Sequence, residues 1–196
     1  MYYISKYIEI KEGQIWMNGK LQSKATAVDF NDMMKEWYKG LQISYPKFYK
    51  MDDLCKLAFI GCEWLLKDED FKEIALLFSN SEASLDTDSK YQQSIQSPDD
   101  YYPSPAVFVY TLPNIAIGEV SIRHQLKTES MFLVSDSFPI DEMMPYTAYL
   151  LQTQKADKVV CAWIHKLQDQ YHACMSLIEK EGTVAHSKSN INELFK

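Results

Sequence analysis

Apolar and polar positions change period along the chain, and the changes mark its elements. Tyr2–Ile10 alternates and is rich in β-formers, which predicts a strand. Gly13 marks a turn, and Gln14–Trp16 predicts a second strand closed by Asn18-Gly19, a pair suited to a tight hairpin. From Asp29 to Tyr38 the spacing turns helical, with Asp29 as N-cap and Gly40 as the stop. A stronger helical pattern opens at Asp52 or Asp53, where Leu54, Leu57, Ala58, Gly61 and Leu65, with Cys55, Cys62 and Leu66, make a wide face suited to packing on a sheet. Three short apolar runs, Ile74–Phe78, Met131–Val134 and Lys158–Ile164, read as buried strands. Ser79-Asn80-Ser81 reads as a loop after the first of them, and Tyr171–Ile178 as a fourth strand at a sheet edge. Ser84–Asp100 is polar, with a helix start near Ser84 and a loop from Ser97. Pro105–Tyr110 and Asn114–Gln125 read as helical pieces broken at Leu112-Pro113. Pro139–Gln154 reads as a helix with Pro139 in its first turn and Asp141 and Glu142 near its positive end. Strands alternating with helices predict an α/β fold without internal repeats. Residues 1–182 are expected to form one domain, and residues 183–196, rich in Ser, Asn and Lys, a loosely held tail.

Composition narrows the function classes. With 196 residues, 46% hydrophobic and 13% aromatic, the chain carries enough apolar surface for a core, either as one large domain or as half of a bigger fold. The net charge of −7, with no basic cluster interleaved with aromatics, argues against nucleic acid and anionic membrane as partners. The amino terminus lacks the basic start and apolar run of a signal peptide, and no run approaches the ~20 apolar residues of a membrane span. A cytoplasmic protein is expected. The cysteines Cys55, Cys62, Cys161 and Cys174 form no CxxC pair and read as buried and reduced. No metal site is expected. Gly118 stands outside any phosphate loop, so no cofactor is expected either. Asp86, Asp88, Asp99 and Asp100 read as solvated loop charge, and Tyr101, Tyr102, Phe108 and Tyr110 as core or interface.

The stretch from Tyr102 to Asp141 carries the densest signal. Ser104, Pro105, Pro113, Asn114, Gly118, Ser121, Ile122 and Leu126 fall in an SP…PN…G…SI…L order that leads into the apolar run Met131–Ser135. This segment resembles the middle of a β-ketoacyl-acyl-carrier-protein synthase of the thiolase superfamily. The resemblance implies a thiolase-like half, a mixed sheet with helices on both faces, with Lys196 near the end of the first half of such an enzyme. It also implies a nucleophile on the turn after that strand, where a helix N-terminus favours a thiolate. Here that place falls on Ser137, beside Asp136, and no cysteine is near. A serine needs a neighbouring general base more than a cysteine does. The family's histidine partners come from the second half, whereas His124, His165, His172 and His186 lie elsewhere. Asp136 and Ser137 also read as helix caps.

Two function classes follow from the resemblance. One is a non-catalytic or auxiliary ketosynthase-like subunit in fatty-acid, polyketide or aryl-polyene-type biosynthesis. It would form a homodimer, or a heterodimer with a full-length ketosynthase, and have an acyl carrier protein as a further partner. The other is a stand-alone acyl-transfer or hydrolytic enzyme using Ser137, with an inactive binding domain as the plainer variant. In the family, the strand before the nucleophile pairs across the dimer axis. Met131–Ser135 and Tyr102–Tyr110 are therefore the expected interface.

Overall fold

The structure, a computed structural model, describes residues 1–69, 73–99 and 101–195. Eight strands form one mixed sheet: β1 (Tyr3–Lys11), β2 (Gln14–Met17), β3 (Lys20–Lys24), β4 (Ile74–Asn80), β5 (Ser130–Val134), β6 (Lys158–Leu167), β7 (Gln170–Glu179) and β8 (Val184–Ala185). Their spatial order is β3-β2-β1-β7-β6-β4-β5, and β8 pairs with the start of β1. The first two turns are two-residue hairpins in the left-handed region, at Glu12-Gly13 and Asn18-Gly19, with φ of 71° and 74° at the glycines. That backbone twist matches the flanking strands and is open to glycine at little cost.

The parallel part positions the site. β4 pairs in parallel with β5 on one side and β6 on the other. The chain therefore steps outward from β4 to β5 and then back across β4 to β6. Right-handed crossovers in opposite directions place their helices on opposite faces. Accordingly α5 (Ile115–His124) packs on one face, with α1 (Phe30–Gly40) and α2 (Asp53–Leu65). α6 (Ile140–Gln152) packs on the other, with α7 (Lys188–Leu194). Helix α3 (Leu85–Ile95) and the short α4 (Pro105–Phe108) come between β4 and α5 along the chain. Strands covered on both sides lose the polar alternation of a half-exposed sheet, and every residue of β4 is buried. Phe48, Phe59, Tyr38 and Tyr45 stack beside α2, and Gly61 on that helix leaves room for the Met175 side chain of β7. Among the described residues, no single helix is long and apolar enough to cross a membrane.

The fold is the expected α/β class, with helices on both faces. Several expectations change. The Ser79-Asn80 segment continues β4 instead of forming a loop, because it pairs with β5 at Leu133 and Val134 and with β6 at Trp163, and Ser79 Oγ also donates to the Ala162 carbonyl at 3.0 Å. The Tyr171–Ile178 strand is central, between β6 and β1, not at an edge. Gly40 is the last helical residue, and the left-handed position after α1 is Gln42. Asp86 and Asp88 lie in α3, where Asp86 accepts from the Gln168 N–H at 3.1 Å and meets Lys90 and Lys166. Asp100 lies outside the described residues. The tail is held: β8 extends the sheet, Ser187 caps α7, Ile191 is buried, and Phe195 stacks on Phe138 at 3.8 Å.

Candidate functional site

The turn after β5 is where the sequence landmarks place the nucleophile. Ser135 leaves the strand with its N–H donated to the Asn80 carbonyl at 2.9 Å. Asp136 and Ser137 follow as exposed bend residues, and Phe138 turns back into the apolar cluster under α6. Ser137 therefore sits at the carboxyl end of an edge strand, just before a helix. The cap expected from Asp136 or Ser137 is not made. Pro139 holds the N-cap position with no side-chain bond. Proline's fixed φ pre-forms that corner, so the helix start needs no side-chain acceptor.

The helix start is also chemically quiet. The Ile140 N–H donates to the Phe138 carbonyl at 2.8 Å, and those of Glu142 and Met143 donate to the Pro139 carbonyl at 3.3 and 2.9 Å. Most of the donors that would stabilise an anion at Ser137 are thus already used. Asp141 and Glu142 occupy the first turn, and Asp136 adjoins the serine. Their charges oppose an alkoxide or an oxyanion.

Among the described residues, no hydrogen bond joins Ser137 to a base. Among the described residues, every histidine is engaged elsewhere or buried away from it. His124 Nε2 lies 3.4 Å from Glu63 Oε1, and burial pushes its pKa down. His165 Nδ1 meets Glu82 at 2.6 Å, and His172 Nε2 meets Glu9 at 3.1 Å. Burial pushes His186 down to about 4. The four cysteines are free and buried, and burial pushes their thiols up, Cys161 to about 12. None is a thiolate source. Ser137 thus lies on a strand-to-helix turn without the groups that would activate a hydroxyl.

The surroundings of β5 are more distinctive than its serine. A groove of about 430 Å³ separates the strand from α5, lined by Asn114, Ser121, Leu126, Met131 and Phe132. Val134 is 56% exposed at the strand edge, and Tyr102, Phe108, Val109 and Leu112 are exposed on the segment that leads into α5. Tyr110 alone of that aromatic group is buried, its hydroxyl donating to Glu119 at 3.1 Å. Sequence reasoning picked out both segments through the motif landmarks. It missed the Glu82–His165 and Glu9–His172 pairs, whose partners are 83 and 163 residues apart in sequence and meet only through the sheet.

No protein-family model matches the sequence, and no curated protein does. Solved structures do match. The ishigamide ketosynthase/chain length factor superposes with a TM-score of 0.71 at 15% identity, over 91% of this chain and 62% of that one. A ketosynthase in complex with its chain length factor from Xenorhabdus doucetiae gives 0.62 at 15%, over 92% and 79%. A type II polyketide-synthase acyl-carrier protein in complex with its ketosynthase bound to the hexaketide gives 0.66 at 10%, over 98% and 64%. The chain thus spans less than two thirds of the first and third of these and four fifths of the second. What it shares with them throughout is architecture, and the chain has the thiolase-like fold of the ketosynthases and chain length factors.

Proposed function

We propose that this chain is a non-catalytic, ketosynthase-like subunit that pairs with a ketosynthase in fatty-acid, polyketide or aryl-polyene-type biosynthesis and shapes the partner's acyl pocket. The observation that carries this reading is the turn at Ser137, where the resemblance places the nucleophile: it has no thiol, no hydrogen-bonded base among the described residues, and a helix start whose donors are mostly bonded. Two further observations support it. Matched structures include a ketosynthase with its chain length factor, in which the match covers 79% of the matched chain. The free edge of β5 and the exposed Tyr102–Leu112 segment offer an apolar surface of the type that partners cover. An acyl carrier protein is a further partner of the assembly, the site is cytoplasmic, and the ketosynthase-like domain takes in residues 1–182 together with the tail that β8 and α7 hold to it.

The test has two arms. Purified alone with a malonyl-loaded carrier protein, the chain should neither decarboxylate nor condense. Mixed with a ketosynthase encoded beside it, it should form a stoichiometric complex by light scattering and change the length of the product chain. Turnover by the chain alone that vanishes in Ser137→Ala would overturn the reading in favour of a serine enzyme. A monomer at micromolar concentration that binds no such ketosynthase would overturn the pairing.

A further inference from the structure

We infer that His165 and His172 together form a two-imidazole binding site for a divalent transition-metal ion on the α6 face of the sheet. The two residues are direct partners across the antiparallel β6–β7 ladder. Residues paired in this way share a face, with Cβ atoms about 4.5–5.5 Å apart. The face is fixed by the neighbours: Val159 and Cys161 on β6 and Ile178 on β7, in the same alternation, pack under α6. Both rings are reachable, with side chains 22% and 27% exposed.

Each ring is held from behind by a carboxylate. His165 Nδ1 is 2.6 Å from Glu82 Oε1, and His172 Nε2 is 3.1 Å from Glu9 Oε1. A ring nitrogen that donates to a carboxylate leaves the other with its lone pair, so His165 offers Nε2 and His172 offers Nδ1. A carboxylate behind a ligating imidazole fixes its tautomer and raises its basicity, the usual outer partner of a metal-bound histidine. Glu82 is well suited to this. Its side chain is 10% exposed, Ser81 Oγ also meets Oε1, and Oε2 is buried with no hydrogen-bond partner among the described residues. Glu9 is shared with Lys11 Nζ at 2.8 Å. Cys174, two residues from His172 on the same face, is withdrawn, its thiol donating to the Leu194 carbonyl at 3.0 Å. Among the described residues no group of three or more His, Cys, Asp or Glu side chains forms a metal cluster. Water therefore completes the coordination, and the site belongs to ions that favour imidazole, Ni²⁺, Cu²⁺ and Zn²⁺, over Mg²⁺ and Ca²⁺.

The inference is independent of Ser137 and of any ketosynthase partner. Ni²⁺ titrated into the full chain by calorimetry should bind one equivalent. His165→Gln and His172→Gln should each weaken that binding at least tenfold, and Glu82→Gln, which keeps both ligands, about 10–100-fold. His124→Gln and His186→Gln should leave it unchanged, and Mg²⁺ should not compete. Far-ultraviolet circular dichroism checks that each variant is folded, and Cu²⁺ electron paramagnetic resonance should report two nitrogen ligands in the wild type. Binding that is the same in the double His165→Gln/His172→Gln variant is adventitious and overturns the site. No binding by the folded wild type overturns it equally.

Discussion

Replacing Val134 by proline tests whether β5 is the docking edge. The Leu76 N–H donates to the Glu129 carbonyl at 3.3 Å, and the Ser135 N–H to the Asn80 carbonyl at 2.9 Å. Residues 129 and 135 therefore turn their backbone groups toward β4. Along a parallel ladder such residues alternate with ones that turn theirs away, so Ser130, Phe132 and Val134 face the free edge. Proline at 134 removes an outward N–H and leaves the β4 ladder intact, a position where an edge strand tolerates it. The Val134 side chain is 56% exposed, so little burial is lost. A backbone hydrogen bond contributes about 0.5–1.5 kcal/mol net. Pairing across a two-fold axis loses one from each protomer, about 1–3 kcal/mol, which weakens a homodimer roughly 5- to 140-fold. A heterodimer loses one bond and weakens roughly 2- to 12-fold. Sedimentation velocity over a dilution series measures the shift, and urea unfolding of the monomer should change by less than about 0.5 kcal/mol. An unchanged dissociation constant in a folded Val134→Pro protein would refute β5 pairing and move the interface elsewhere.

Elements with strong periodicity and local punctuation were legible in the sequence. Asp29 and Asp52 cap their helices as read, accepting from Asp32 and Cys55, and the three apolar runs are the parallel core of the sheet. What failed was decided over distance. β3 is polar but for Leu21 and mostly exposed, so no alternation betrays it, and it exists because the Asn18-Gly19 turn delivers it to β2. β7 has the content of any buried strand, and its central position depends on pairing with β1, some 170 residues away in sequence. The tail is polar in composition, yet Ile191, Leu194 and Phe195 suffice to hold it beneath α6. At the turn after β5, the expected placing of Ser137 between a strand and a helix start is what the structure has. The spent helix donors at Phe138 and Pro139 were not readable, because a sequence shows which groups exist and not which are already bonded.

Three stability predictions follow from the core. Phe59→Ala empties a fully buried site among Tyr38, Tyr45 and Phe48, and should cost about 3–5 kcal/mol in urea unfolding. Arg123→Met leaves buried Glu63 without its paired guanidinium, at 2.5 and 3.2 Å, and should cost about 1–3 kcal/mol, largely recovered by adding Glu63→Met. The last concerns Asp52, which caps α2 by accepting from the Cys55 N–H at 2.9 Å and also accepts from Thr87 Oγ1 at 2.7 Å. Burial pushes its carboxyl above the ordinary aspartate range, against the bonds from Cys55 and Thr87 that favour the charge. An acid whose folded pKa is raised holds its proton more tightly when folded. The resulting stabilisation is complete below the unfolded value of about 3.9 and is lost as pH rises through the folded value. Near neutral pH the Asp52 charge therefore opposes folding while its oxygen supports the helix. Asp52→Asn keeps an oxygen for the Cys55 N–H and removes the charge, so at about pH 7 it should equal or exceed the wild type in urea, with the advantage shrinking toward about pH 4. Asp52→Ala loses the cap itself and should cost about 0.5–2 kcal/mol across that range. If the asparagine variant is as unstable as the alanine variant at neutral pH, the charge and not the cap geometry is what α2 requires, and the burial argument fails.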